Sequence, residues 1–134
     1  MPVPDAVNNV LTIAETCLGS DFDPLVFSIL SQTKLDDSVI FIGNGIDPGF
    51  PAILQTGRKP GSRYLFCTLP FIDYCATRTK DQRWEKMAET AVANYGQDII
   101  KNKPAVIYIQ QGQIQDLLEK YHFFDRFMSN YELA

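Results

Sequence analysis

The side chains that could do chemistry in this chain are few and widely spaced. Cysteine occurs three times, at Cys17, Cys67 and Cys75, with gaps of 50 and 8 residues. That pattern fits neither a disulfide framework nor a zinc site of the CxxC type. His122 is the only histidine, so a zinc site would draw most of its ligands from carboxylates, and a nucleophilic triad has one candidate base. A reactive thiol needs a cationic or helix N-terminal setting. Cys67 and Cys75 stand instead among Phe66, Phe71 and Ile72, in the apolar company of core cysteines. These residues point to no metal and no cofactor.

The segment Gly43-Asn44-Gly45 follows an apolar run and is similar to the loops that cradle a phosphate with backbone N–H groups. Pro48 and Pro51 are expected to block the helix such a loop must lead into, and no Gly-Lys-Ser/Thr occurs. The glycines and Asn44 are better suited to a structural turn. A small enzyme, or a nucleotide- or metabolite-binding protein, would use the loop Gly43–Phe50 with Asp47, Asp73 or Arg63, because irregular loops after buried strands line pockets.

Charge is distributed unevenly about a net of −4. Residues 1–56 hold seven acids against one base, whereas residues 58–86 hold seven bases, Arg58, Lys59, Arg63, Arg78, Lys80, Arg83 and Lys86, against three acids. Nucleic-acid binding through residues 58–86 would exploit that run together with Tyr64, Phe66 and Trp84. The acidic whole repels nucleic acid, and the aromatics sit at core spacing, so a solvated surface is favoured. The 134 residues, 46% apolar and 21% charged, suit one globular domain over 1–134 that buries roughly two thirds of its unfolded surface. No apolar run reaches the length of a membrane span. The first residues carry neither a basic residue nor a long apolar core, and a cytoplasmic protein is expected.

The elements that must position these residues follow from periodicity. Val7, Val10, Leu11, Ala14 and Leu18 recur at helical intervals, predicting a helix from Asp5 to Leu18. Asp23-Pro24 opens a second helix to about Thr33. Ser38–Ile42 reads as a strand buried on both faces. Ala52–Gln55 and Arg63–Thr68 read as two further strands joined by a loop rich in Gly and Pro. A short helix follows Thr68-Leu69-Pro70. A longer one is opened by Thr79 with Gln82 in a capping-box pattern, and Gly96 ends or bends it. Ala105–Ile109 is a strand, and Ile114, Leu117, Leu118, Tyr121 and Phe124 mark a last helix. The order α-α-β-β-β-α-α-β-α predicts an α+β fold, a small mixed sheet of about four strands flanked by helices.

The stretch from Pro24 to about Lys120 resembles the N-terminal domain of the SseB family, named for enhanced serine sensitivity. The likeness rests on the helix with Phe27 and Leu30, the strand Val39–Ile42, the segment Ala52–Gln55, Gly61-Ser62-Arg63-Tyr64-Leu65-Phe66, and the strand Ala105–Ile109 with its following helix. Gln110-Gln111-Gly112 stands where the family tends to carry Asn-Pro-Gly. The resemblance implies a small non-catalytic domain associated with secretion or regulation.

The tail from Tyr121 to Tyr131 holds more large apolar residues than one helical stripe buries, so it either packs into the core or meets a partner. The residues and the resemblance together lead to a non-catalytic protein–protein interaction domain, such as a regulator, an adaptor or an immunity-type inhibitor. The expected partner-binding residues are Asp36, Asp37, Asp47, Tyr121, Phe123, Phe127 and Tyr131. The partner is another protein with a basic surface, met by the acidic residues through complementary charge. Homo-oligomerisation is compatible with the same surface.

Overall fold

The computed structural model describes the backbone of residues 10–14 and 22–133 and the side chains of residues 24–133. Its elements are β1 (Val10–Ala14), α1 (Phe22–Gln32), β2 (Ser38–Ile42), α2 (Gly49–Gln55), β3 (Lys59–Pro60), α3 (Leu69–Thr79), α4 (Gln82–Asn102), β4 (Val106–Gln110), α5 (Gln113–Lys120), α6 (Phe123–Phe127) and β5 (Glu132–Leu133). The α+β class holds, with six helices and one small sheet among the described residues. The strands lie in the order β3-β2-β4-β1-β5, and every pairing is parallel. The expected mixed sheet is thereby corrected. Parallel neighbours cannot be joined by a tight turn and need a long crossover, which the intervening helices supply.

β4 is the centre of the sheet, paired with β2 from Val39↔Val106 to Ile42↔Ile109 and with β1 from Val10↔Val106 to Ala14↔Gln110. Its side chains alternate between two cores. Ile107 and Ile109, with Ile40 and Ile42, face Ile72 of α3, Tyr95 of α4, Leu118 of α5 and Phe123 of α6. Val106 and Tyr108, with Val39 and Phe41, face Leu25 and Ile29 of α1 and Ala52 and Ile53 of α2. Helices therefore cover both faces.

Several local expectations are overturned. Val10–Ala14 is strand β1 rather than helix. Val10, Thr12 and Ile13 are β-branched, and a short apolar run does not separate the two periods. The remainder of the expected Asp5–Leu18 helix lies outside the described residues. Ala52–Gln55 belongs to helix α2, not to a strand, and the prolines begin that helix rather than block it. Pro48 is its N-cap residue and Pro51 sits in the first turn, where no intrahelical N–H partner is needed. Arg63–Thr68 is irregular, and the edge strand is Lys59–Pro60. Finally, Thr79 closes α3, while Asp81 caps α4 by accepting a hydrogen bond from the Arg83 N–H. α4 then runs straight through Gly96, because that glycine makes room for Phe127. A Cβ there would lie 2.2 Å from the Phe127 ring.

Three of the seven bases in the basic run, Arg58, Arg63 and Arg83, bond to groups of this chain. Arg58 donates to the Thr33 hydroxyl and carbonyl at the end of α1. Arg63 clamps Asp98 of α4 through its backbone N–H at 2.9 Å and its guanidinium at 2.8 Å. Arg83 pairs with its neighbour Asp81. Burial pushes the Asp98 carboxyl up, but the Arg63 hydrogen bonds and charge outweigh it and hold the carboxyl below its ordinary range.

Two outcomes are expected. Gly49→Ala should lower stability by about 1–3 kcal/mol in urea unfolding, because the new Cβ meets the root of the Phe41 side chain, with Cβ at 2.6 Å, which rotation cannot move away. Asp98→Asn should cost about 1–3 kcal/mol at neutral pH. Because the folded carboxyl titrates below the unfolded one, its contribution is complete above about pH 4 and fades as pH falls through the folded value. The difference between the urea midpoints of the two proteins should therefore be constant from pH 7 to about pH 5 and begin to shrink only as pH falls below about 4.

Candidate functional site

The residues expected to bind a partner do not form one surface. Asp36 and Asp37 precede β2 and Asp47 follows it, so they lie at opposite ends of the sheet. The Asp37 carboxylate is also engaged by the Lys34 N–H at 2.7 Å. In the tail, Phe123 is fully enclosed, stacked edge-on against Tyr95 and Phe124. Phe127 is half-buried on Gly96, and Tyr131 donates its hydroxyl to the Pro104 carbonyl at 2.8 Å. Most of the aromatic excess is thus absorbed by α4. Tyr121 alone of this group lines an open groove.

The loop Gly43–Phe50 leaves β2 at the carboxyl edge of the sheet, and β4 leaves the same edge toward the opposite face, the arrangement in which α/β sheets commonly hold ligands. Here the space is closed by the chain's own groups. Gln110 accepts the Asn44 N–H at 2.7 Å, and Phe41 fills the volume beside Gly43 and Gly49. Asp73, Arg63 and Asp47 do not converge: Asp73 pairs with Lys120, Arg63 with Asp98, and Asp47 is exposed on the loop. Cys67 is buried beside Tyr95, and burial pushes its thiol up to about 11. The same burial holds the Tyr95 hydroxyl well above its ordinary range. Among the described residues no group of three or more histidines, cysteines or carboxylates could hold a metal ion, and no helix is long and apolar enough to cross a membrane.

What the sequence does not reveal is the outer surface of the α3–α4 hairpin. Phe71 is 64% exposed, Tyr74 56% and Met87 49%. Phe71 meets Trp84 edge-on at 6.2 Å, and the Arg78 guanidinium lies 4.6 Å above the Tyr74 ring. Met87 also lines an apolar groove of about 330 Å3, with Tyr64, Ile72 and Ala91. A second groove of about 710 Å3, polar in character, lies on the other flank of α4 against the turn from α5 into α6. Lys86 and Thr90 form the ridge common to both. The signal for this surface is latent in the spacing of Phe71 and Tyr74, which place two aromatics on one helical stripe apart from the buried Ile72. Comparison with family models, with curated proteins and with solved structures finds no match to this chain.

The buried thiol generates an expectation of its own. In the folded protein at pH 8, Cys67 should resist alkylation by iodoacetamide, since less than about one part in a hundred is thiolate at three units below its pKa. It should label fully in denaturant, as read by peptide mass spectrometry.

Proposed function

We propose that this domain is a non-catalytic protein-binding module that docks its partner on the α3–α4 hairpin. The observation that carries this reading is the exposure of Phe71, Tyr74 and Met87 on one hairpin, where Met87 with Lys86 and Thr90 lines an apolar groove and Arg78 stacks on Tyr74. An apolar centre with a polar rim is the anatomy of protein interfaces, and aromatic and arginine residues are their usual anchors. Other exposed apolar residues, Phe27 and Leu30 on α1, lie on the opposite face of the sheet and line neither of the two grooves described. The SseB-like pattern implies a small non-catalytic domain associated with secretion or regulation, and a docking surface is compatible with that implication. The dispersal of Asp36, Asp37 and Asp47 moves the proposed contact away from the acidic residues, and apolar burial replaces charge as its main source of affinity.

The test compares three proteins as baits in native extract, each checked by circular dichroism: the parent chain, a Phe71→Ser/Met87→Ser variant and a Phe27→Ser variant. A stoichiometric partner retained by the parent and by Phe27→Ser but weakened at least tenfold in the hairpin variant is expected, each truncated anchor being worth roughly 1–2 kcal/mol. A partner held equally by all three proteins, or lost equally from both variants, removes the hairpin as the docking surface.

A further inference from the structure

The outer side of the α1–α2 layer carries apolar residues that docking on the hairpin does not use. On α1, Phe27 is 73% exposed and Leu30 48%, one helical turn apart. Leu35, just beyond α1, is 67% exposed, and Leu54 of α2 is 57% exposed. The four belong to one patch. α1 packs against α2 over the same face of the sheet, and Arg58 fastens the end of α1 through Thr33. The Leu35 side chain lies within van der Waals reach of Gly57, whose N–H donates to the Leu54 carbonyl at 3.0 Å. The patch therefore spans about 16 Å along α1, at 1.5 Å per residue, and the roughly 8–10 Å that separate packed helices. The core beneath does not need these side chains, since Leu25, Ile29, Ala52 and Ile53 already close it.

Two properties of the patch suit it to a second copy of the same chain. The first is area. At roughly 150–200 Å2 for a whole side chain of this size, the four exposed fractions come to about 400 Å2 per copy. Two copies face to face remove about 800 Å2 of apolar surface, the apolar share of an interface of about 1,300 Å2, which is within the range of specific association. The second is charge. The chain carries a net of −4, so copies repel one another over most of their surface. At the end of α1 the charges nearly balance, with Lys34, Arg58 and Lys59 against Asp36 and Asp37. Leu35 itself stands between Lys34 and Asp36, both exposed and both without an ion-pair partner among the described residues. A patch edged by one free cation and one free anion complements itself under a two-fold rotation that sets Lys34 of each copy against Asp36 of the other. We infer that the domain associates as a two-fold dimer through α1 and α2, with Phe27, Leu30, Leu35 and Leu54 at the centre and reciprocal Lys34–Asp36 pairs at the rim. Self-association then lies on this face and not on the C-terminal tail, and the α3–α4 hairpin stays free on the opposite face of the sheet.

Sedimentation velocity of the full chain from about 1 μM to about 1 mM, the span of weak to moderate affinities, tests this. A reversible passage from 15.1 kDa to twice that mass is expected, with a dissociation constant of micromolar order, as small interfaces give. In a Phe27→Ser/Leu54→Ser variant, checked by circular dichroism, the constant should rise by about thirtyfold or more, because each truncation is repeated in both copies. Lys34→Asp and Asp36→Lys should each weaken the dimer about threefold or more, since either change sets like charges across the two-fold axis. Their equimolar mixture should recover the parent's affinity, because one copy then presents two anions and the other two cations. The Phe71→Ser/Met87→Ser variant should dimerise like the parent, so this association and docking on the hairpin fail separately. A chain that stays monomeric to about 1 mM overturns the proposal. So does a dimer that survives Phe27→Ser/Leu54→Ser, a dimer lost in the hairpin variant, or a mixture of the two charge variants that binds no tighter than either alone.

Discussion

The structure depends on burying β4 on both faces. Val106, Ile107, Tyr108 and Ile109 are all at most 1% exposed, so neither side of the strand can be left to water. A strand of this kind requires apolar neighbours on both edges and helices above and below. The parallel pairing with β1 and β2 meets the first need and the helical crossovers meet the second. Tyr108 tests the arrangement most severely, because its hydroxyl goes into the core with its ring. Ser28 lies 2.7 Å from it and Gln32 donates at 3.4 Å, so α1 supplies the polar partners that a buried phenol needs.

The same constraint explains where the charges go. Covering two faces of a small sheet brings the ends of helices and the connecting loops close together, and the open backbone groups there need partners. Arg58 satisfies a carbonyl at the end of α1, and Asp98 receives both the backbone and the side chain of Arg63. What looks in one dimension like a basic tract is in three dimensions a set of fasteners pointing to different elements. Along the α3–α4 hairpin Arg78, Lys80, Arg83 and Lys86 are interleaved with Asp73, Asp81, Glu85 and Glu89, so that surface is not a cationic stripe of the kind a phosphate backbone recognises.

The sequence made much of this legible where one period dominated. Ser38–Ile42 and Val106–Gln110 are strands because their β-branched runs have no helical alternative, and α1 begins at Phe22, with the Asp-Pro pair inside its first turn. It misled where local chemistry has two meanings. Proline excludes the interior of a helix but favours its first turn, so Pro48 and Pro51 announced α2 as much as they argued against it. Glycine loosens a helix in isolation, yet Gly96 is required by a ring twenty-five or more residues downstream. Parallel pairing is set by which strands share β4, a nonlocal fact with no local marker. The grooves beside α4 were illegible for the same reason, since Met87 meets Tyr64 and Ile72 on one flank, and Glu89 meets Tyr121 on the other, only through the packing of the chain.

That packing also accounts for why the apolar excess ends up on α3 and α4. The aromatic tail supplies Phe123, which takes the space against Tyr95 and Leu118 that a ring from α3 could otherwise fill. With the core already closed, Ile72 and Leu69 are enough to seat α3, and Phe71 and Tyr74 turn outward on its other side. Nothing in the stability of the domain calls for two exposed aromatics there, because a polar residue on that stripe would leave the core intact. Exposed rings that the core does not need, paired on one stripe of α3 rather than scattered singly, are therefore the part of this surface whose explanation lies outside the fold.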